Sequence, residues 1–109
     1  MNTNCIIEFK EHVNKLYKQP VYTLDKDKKF LCLGNYANVL QFHKRLKNVL
    51  MYGYINNKDS DIILSHNDDT FFIKNKKHNT IISLPNEQVR YLSANIGKFI
   101  YSKMKEKKS

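Results

Sequence analysis

Three short runs rich in β-branched and aromatic residues follow one another between residues 61 and 84. They are Asp61-Ile62-Ile63-Leu64-Ser65, Thr70-Phe71-Phe72-Ile73-Lys74 and Thr80-Ile81-Ile82-Ser83-Leu84. The links are His66-Asn67-Asp68-Asp69 and Asn75-Lys76-Lys77-His78-Asn79, both made of turn-forming residues. Runs of this length and composition, bounded by Asn and Asp, read as a meander of strands. A helix follows at once. Pro85 suits a helix start, Asn86 accepts from orphan amides, and Glu87 suits the positive end of the helix dipole. Val89, Leu92, Ile96, Phe99 and Ile100 then repeat at three- and four-residue steps. Gly97 within that stripe costs about 1 kcal/mol against Ala, a sign either of close packing on a neighbour or merely of tolerance. Residues 103–109 read as a frayed basic tail.

The first half is less uniform. Ile6, Phe9, Val13, Leu16 and Tyr17 fit one face of a helix over residues 4–18, stopped by Pro20. Val21-Tyr22-Thr23-Leu24, the charged turn Asp25-Lys26-Asp27-Lys28, and Phe30-Leu31-Cys32-Leu33 read as strand, turn, strand. Gly34-Asn35-Tyr36-Ala37-Asn38 is turn chemistry. From residue 39 two readings stand. Val39, Phe42, Leu46, Val49 and Leu50 fit a helix, yet Val39 to Leu46 also reads as a strand after a tight turn. Periodicity does not decide between them.

At 109 residues and 13.0 kDa the chain is expected to be one domain spanning residues 1–109. No recurring period suggests a solenoid, collagen or coiled coil. No apolar run reaches the roughly 18 residues of a membrane span. The first residues lack the basic start and apolar block of a secretory signal, so an intracellular protein is expected. Catalytic and cofactor chemistry find little support. His12, His43, His66 and His78 sit in four separate segments without ligand spacing, and Cys5 and Cys32 make neither a CxxC site nor a disulfide framework. With only Gly34, Gly53 and Gly97, no glycine-rich phosphate loop exists. The chain is read as a non-enzyme without metal or cofactor.

The charge is the positive clue. Nineteen Lys and Arg oppose ten Asp and Glu, a net of +9. The excess lies in two blocks, residues 21–50 and 76–109, around a stretch 51–75 with four Asp against two Lys. Such a balance favours a polyanionic partner, nucleic acid first. Lys28, Lys29, Tyr36, Lys44, Arg45, Lys76 and Lys77 interleave cations with an aromatic on strand ends and turns. Single-strand binding with little sequence preference uses that combination: cations follow phosphates while an exposed ring stacks on any base.

Two stretches carry a family resemblance. One is Thr80-Ile81-Ile82-Ser83-Leu84-Pro85-Asn86-Glu87-Gln88-Val89-Arg90-Tyr91-Leu92. The other is Leu24-Asp25, then Lys28-Lys29-Phe30-Leu31-Cys32-Leu33, and Val39-Leu40-Gln41-Phe42. Together they resemble the positive cofactor four family of transcriptional coactivators over residues 22–46 and 76–101. Val89 replaces the family's Trp, and Pro85-Asn86 appear in swapped order. The resemblance implies an α+β fold: a curved antiparallel sheet of about four strands and a C-terminal helix. An extra helix would precede it at 4–18, and residues 47–75 would be a β insertion. It also implies a homodimer through the C-terminal helix, with Val89, Leu92, Ile96, Phe99 and Ile100 at the interface. Single-stranded DNA would lie along Lys28, Lys29, Tyr36, Lys44, Lys76 and Lys77, in contact with transcription or replication machinery, in the nucleus or another site of those processes. Tyr36 would be the stacking aromatic.

The other reading takes residues 36–50 as a helix. The order then becomes helix, two strands, helix, three strands, helix, which is similar to the roadblock light-chain fold of dynein and GTPase-scaffold subunits. That reading implies a dimerising protein-interaction module without nucleic acid.

Overall fold

The computed structural model describes residues 5–13, 15–16 and 18–108. Three strands, β1 (Glu8–His12), β2 (Val21–Lys26) and β3 (Lys29–Gly34), form one antiparallel sheet in the order β1-β2-β3. Helix α1 (Tyr36–Tyr52) follows. Strands β4 (Ile62–His66), β5 (Thr70–Asn75) and β6 (Thr80–Pro85) form a second antiparallel sheet, ordered β4-β5-β6. A 3-10 turn, Asn86–Gln88, leads into α2 (Val89–Lys108). The fold is α+β with a C-terminal helix, as expected, but its strands form two three-stranded sheets rather than one sheet of about four.

The chain thus runs twice through three strands and a helix, and the burial pattern repeats with it. Tyr22 and Leu24 of β2, Leu31 and Leu33 of β3, and Val39, Phe42 and Leu46 of α1 are buried. Phe71 and Ile73 of β5, Ile82 and Leu84 of β6, and Val89, Leu92 and Ile96 of α2 occupy the matching places in the second half. Leu24 pairs with Phe9, and Ile73 pairs with Leu64. Burial positions recur where residue identities do not, which is why no period shows in the string. The two halves share one core: α1 packs on α2, and β3 lies against β5 and β6. Asn75 Nδ2 donates to the Cys32 carbonyl at 2.8 Å, and Lys26 Nζ donates to the Ser83 carbonyl at 2.6 Å, tying the sheets together.

Four sequence expectations change. Residues 8–12 form a strand, not part of a helix over 4–18. Ile7 is buried and Phe9 stacks on Tyr22, their ring centroids 5.7 Å apart, so alternate residues face the core. Val13 and Leu16, placed on the helical stripe, are 77% and 87% exposed; Tyr17 lies outside the described residues. Residues 36–52 are helix, so Val39–Phe42 is not a strand. The reason is an N-terminal capping box: Asn35 Oδ1 accepts from Asn38 N at 3.0 Å, and Asn38 Oδ1 accepts from Asn35 N at 2.9 Å. Gly34 at φ +110 turns the chain into it, and a Cβ there would collide with the Asn38 carboxamide. Residues 47–75, expected as a β insertion, supply the end of α1, the edge strand β4 and the central strand β5 of the second sheet. Residues 103–108 continue α2 rather than fray, and Lys103 Nζ reaches Glu11 Oε2 at 3.3 Å.

The proposed dimer stripe is covered by the chain itself. Val89, Leu92 and Ile96 are 2%, 0% and 0% exposed, and Phe99 and Ile100 pack half-buried against the same core. Phe99 meets Phe9, Tyr22 and Tyr36. The close neighbour of Gly97 is α1: a Cβ there would sit 3.2 Å from His43 Nε2.

Between the helices, burial and then the Lys47 charge hold the His43 imidazole below its ordinary value of 6.5, against a hydrogen bond to the Ser93 backbone. Below neutrality the unfolded chain therefore binds more protons than the folded one. This contribution to stability is present above the unfolded value and is lost as pH falls through the lower, folded value. Thermal melts at about pH 7.5 and 5.5 check it: the parent should lose more stability on acidification than His43→Gln.

Candidate nucleic-acid interface

Helix α1 buries Val39, Phe42 and Leu46 and turns Gln41, Lys44 and Asn48 outward. The helix ends at Gly53, whose φ of +64 is the left-handed cap that Gly adopts without strain. The chain then runs back beside the helix through residues 54–61. Arg45 holds that segment. Its Nη1 donates to Ser60 Oγ at 3.0 Å and to the Ile62 carbonyl at 2.8 Å, and its Nη2 donates to Asn57 Oδ1 at 2.7 Å. Asn57 in turn bonds the Leu64 backbone through both its amide and its carbonyl. Arg45 is half-buried, its Nε has no hydrogen-bond partner, and burial pulls the guanidinium below its usual pKa. Arginine nevertheless stays charged.

Two grooves flank Arg45. One, of about 310 Å³, includes Asn38, Gln41, Arg45, Lys77 and His78 in its walls. The other, of about 370 Å³, includes Gln41, Lys44, Asn48, Tyr54, Asn56 and Lys58. They share Gln41, Arg45, Asp59 and Ser60, so they make one trough along α1. Lys44, Arg45, Lys58 and Lys77 line the trough against Asp59 and Asp61. At its mouth Tyr54 is 56% exposed.

Of the residues expected to bind nucleic acid, Lys44, Arg45 and Lys77 converge here, with Lys76 exposed on the same turn as Lys77. Arg45 serves as the anchor of the trough wall. Lys28 and Lys29 do not join them. They lie at the β2–β3 turn in a separate groove, where Lys10 and Lys26 also stand among Glu8, Asp25 and Asp27. Lys10 in that groove is already matched, 3.4 Å from Asp25 and 3.8 Å from Glu8. Tyr36 is the clearest displacement. It sits in the first turn of α1, half-buried, its ring edge-on to Phe99 at 6.2 Å. The exposed aromatic ring beside the trough is instead that of Tyr54. Gly53 just past the Val39, Phe42, Leu46, Val49 stripe is the sequence signal that would have marked the helix end and the exposed loop after it. Phe30, by contrast, is 65% exposed because Leu31 and Leu33 take the inward places on β3.

Among the described residues no helix is long and apolar enough to cross a membrane, and no group of three His, Cys, Asp or Glu side chains is placed to hold a metal ion. Cys5 and Cys32 are free thiols. No protein-family model, curated protein or solved structure matches the chain.

Proposed function

We propose that the protein binds single-stranded nucleic acid along the trough beside α1. The observation that carries this reading is that two grooves meet along a shared wall, so that Lys77 in one and Lys44, Lys58 and the exposed ring of Tyr54 in the other open onto one trough. Cations spaced along a groove follow a phosphate backbone, and a free aromatic face accepts any base. The net charge of +9 adds long-range attraction to a polyanion. This is the function that the family resemblance implies, resting here on Lys44 and Lys77 of the residues it names, together with Lys58 and Tyr54. Transcription or replication machinery, which exposes such strands, is the partner it implies.

The test is fluorescence anisotropy with a labelled oligothymidylate. Stacking contributes about 1–3 kcal/mol per base, so Tyr54→Ala should weaken binding roughly five- to hundredfold with an unchanged melting temperature. Tyr36→Ala should instead lower the melting temperature, since it removes a ring packed on Phe99. Absence of binding at low salt, or equal affinity of Tyr54→Ala and the parent, would sink the reading.

A second reading is a protein-interaction module without nucleic acid. The helix over residues 36–52 favours it, together with Leu50, Met51 and Tyr52, which are 44%, 64% and 72% exposed at the end of that helix. It predicts no affinity for oligonucleotides at any salt.

A further inference from the structure

We propose that the groove between α1 and residues 54–61 is a nucleobase pocket that selects the base at one position of the strand; this rests on the single-strand binding proposed above. A groove that gripped only the backbone would be walled by cations. This one also contains three carboxamides, Gln41, Asn48 and Asn56, with Tyr54 at its mouth. A carboxamide sets a donor beside an acceptor in one plane, the complement of a base edge. Several other carboxamides are spent on the chain's own backbone, though among the described residues those of Gln19 and Asn79, outside any of the grooves, also make no hydrogen bond. Asn35 and Asn38 cap α1, Asn57 holds β4, Asn75 bonds the Cys32 carbonyl and Asn86 bonds the Asn67 carbonyl. Among the described residues the side chains of Gln41 and Asn48 make no hydrogen bond, and Asn56 uses only its oxygen, accepting from Lys58 N at 3.0 Å. Gln41 and Asn48 stand seven residues apart, two turns along one face of the helix, with Lys44 between them. A base stacked on Tyr54 would turn its edge toward these unspent amides while Lys44 and Lys58 take the flanking phosphates. Unstacked bases read on their edges are the usual basis of single-strand sequence recognition.

A bidentate amide-to-base pairing discriminates by roughly five- to hundredfold. The experiment compares anisotropy titrations of oligo-dA, oligo-dC, oligo-dT and an abasic strand of equal length, for the parent and for Gln41→Ala/Asn48→Ala. The parent should show at least about a fivefold spread among the three bases. The double variant should collapse that spread and lose less affinity on the abasic strand than on the preferred base. Gln41→Ala alone, at an exposed position, should narrow the spread and serves if the double variant does not fold. A parent spread under about fivefold, a spread that survives the substitutions, or a matching loss on the abasic strand overturns the base pocket and leaves single-strand binding standing. Failure of the parent to bind any strand overturns both.

Discussion

Leu92→Ala should destabilise the protein by about 2–5 kcal/mol, the cost of truncating a fully buried leucine that leaves a cavity. The side chain is 0% exposed within the single chain, between Val89 and Ile96 on the face of α2 that closes the shared core. Because its partners belong to the same chain, the loss should not depend on protein concentration. An interface residue behaves differently, since its contribution follows the fraction of assembled protein. Denaturant titrations of parent and variant at two widely separated protein concentrations distinguish the cases. Tyr101→Ala, further along the same helix and 60% exposed, should change stability by no more than about 0.5 kcal/mol. A midpoint for Leu92→Ala that moves with concentration would restore the dimer stripe expected from sequence.

The second large effect concerns the trough. Each single-strand phosphate contact contributes about 0.7 to the slope of log affinity against log salt, roughly fivefold at 0.1 M relative to 1 M. Lys44→Glu/Lys77→Glu removes two contacts and should weaken binding at about 0.1 M salt by roughly 25-fold or more, since the new carboxylates also repel the strand. The slope should fall by about 1.4. Lys28→Glu/Lys29→Glu is the comparison. Those lysines share their groove with Glu8, Asp25 and Asp27, so their reversal should cost much less. If the turn variant loses more affinity than the trough variant, the binding surface lies at the β2–β3 turn instead.

Much of the fold was legible in the order of residues. The strands at 21–26, 29–34, 62–66, 70–75 and 80–85 lie where β-branched and aromatic runs sit between Asn, Asp and Gly. Helix α2 follows Pro85-Asn86-Glu87 after one 3-10 turn, but without the side-chain cap expected of Asn86, whose amide donates to the Asn67 carbonyl instead. Residues 36–52 were ambiguous because their apolar spacing suits two periods; the reciprocal Asn35–Asn38 bonds are a capping box written with Asn in place of the more familiar Glu. Residues 8–12 were misread because Ile6, Phe9 and Val13 imitate a helical stripe, while Ile7 and Phe9 carry the true alternation. The site was legible only in part. Lys44, Arg45 and Lys77 were marked by charge and Tyr54 by the helix-ending Gly53 before it, whereas Lys58, Gln41 and Asn48 carried no distinguishing local signal.

By itself, the sequence determined most of the local elements after residue 20, most of their buried residues and the excess of positive charge, because each depends on near neighbours and on composition. What covers the buried stripe, and which cations share a surface, was decided by tertiary structure. Val89, Leu92 and Ile96 present the same apolar face whether a second chain or the chain's own sheets and α1 cover it. Lys44 and Lys77 are 33 positions apart and converge only because the β5–β6 turn comes to rest beside α1. Tyr36 and Tyr54 are the same residue type near the two ends of one helix. Packing on Phe99 half-buries the ring of the first, and the left-handed cap at Gly53 leaves the second exposed outside the core.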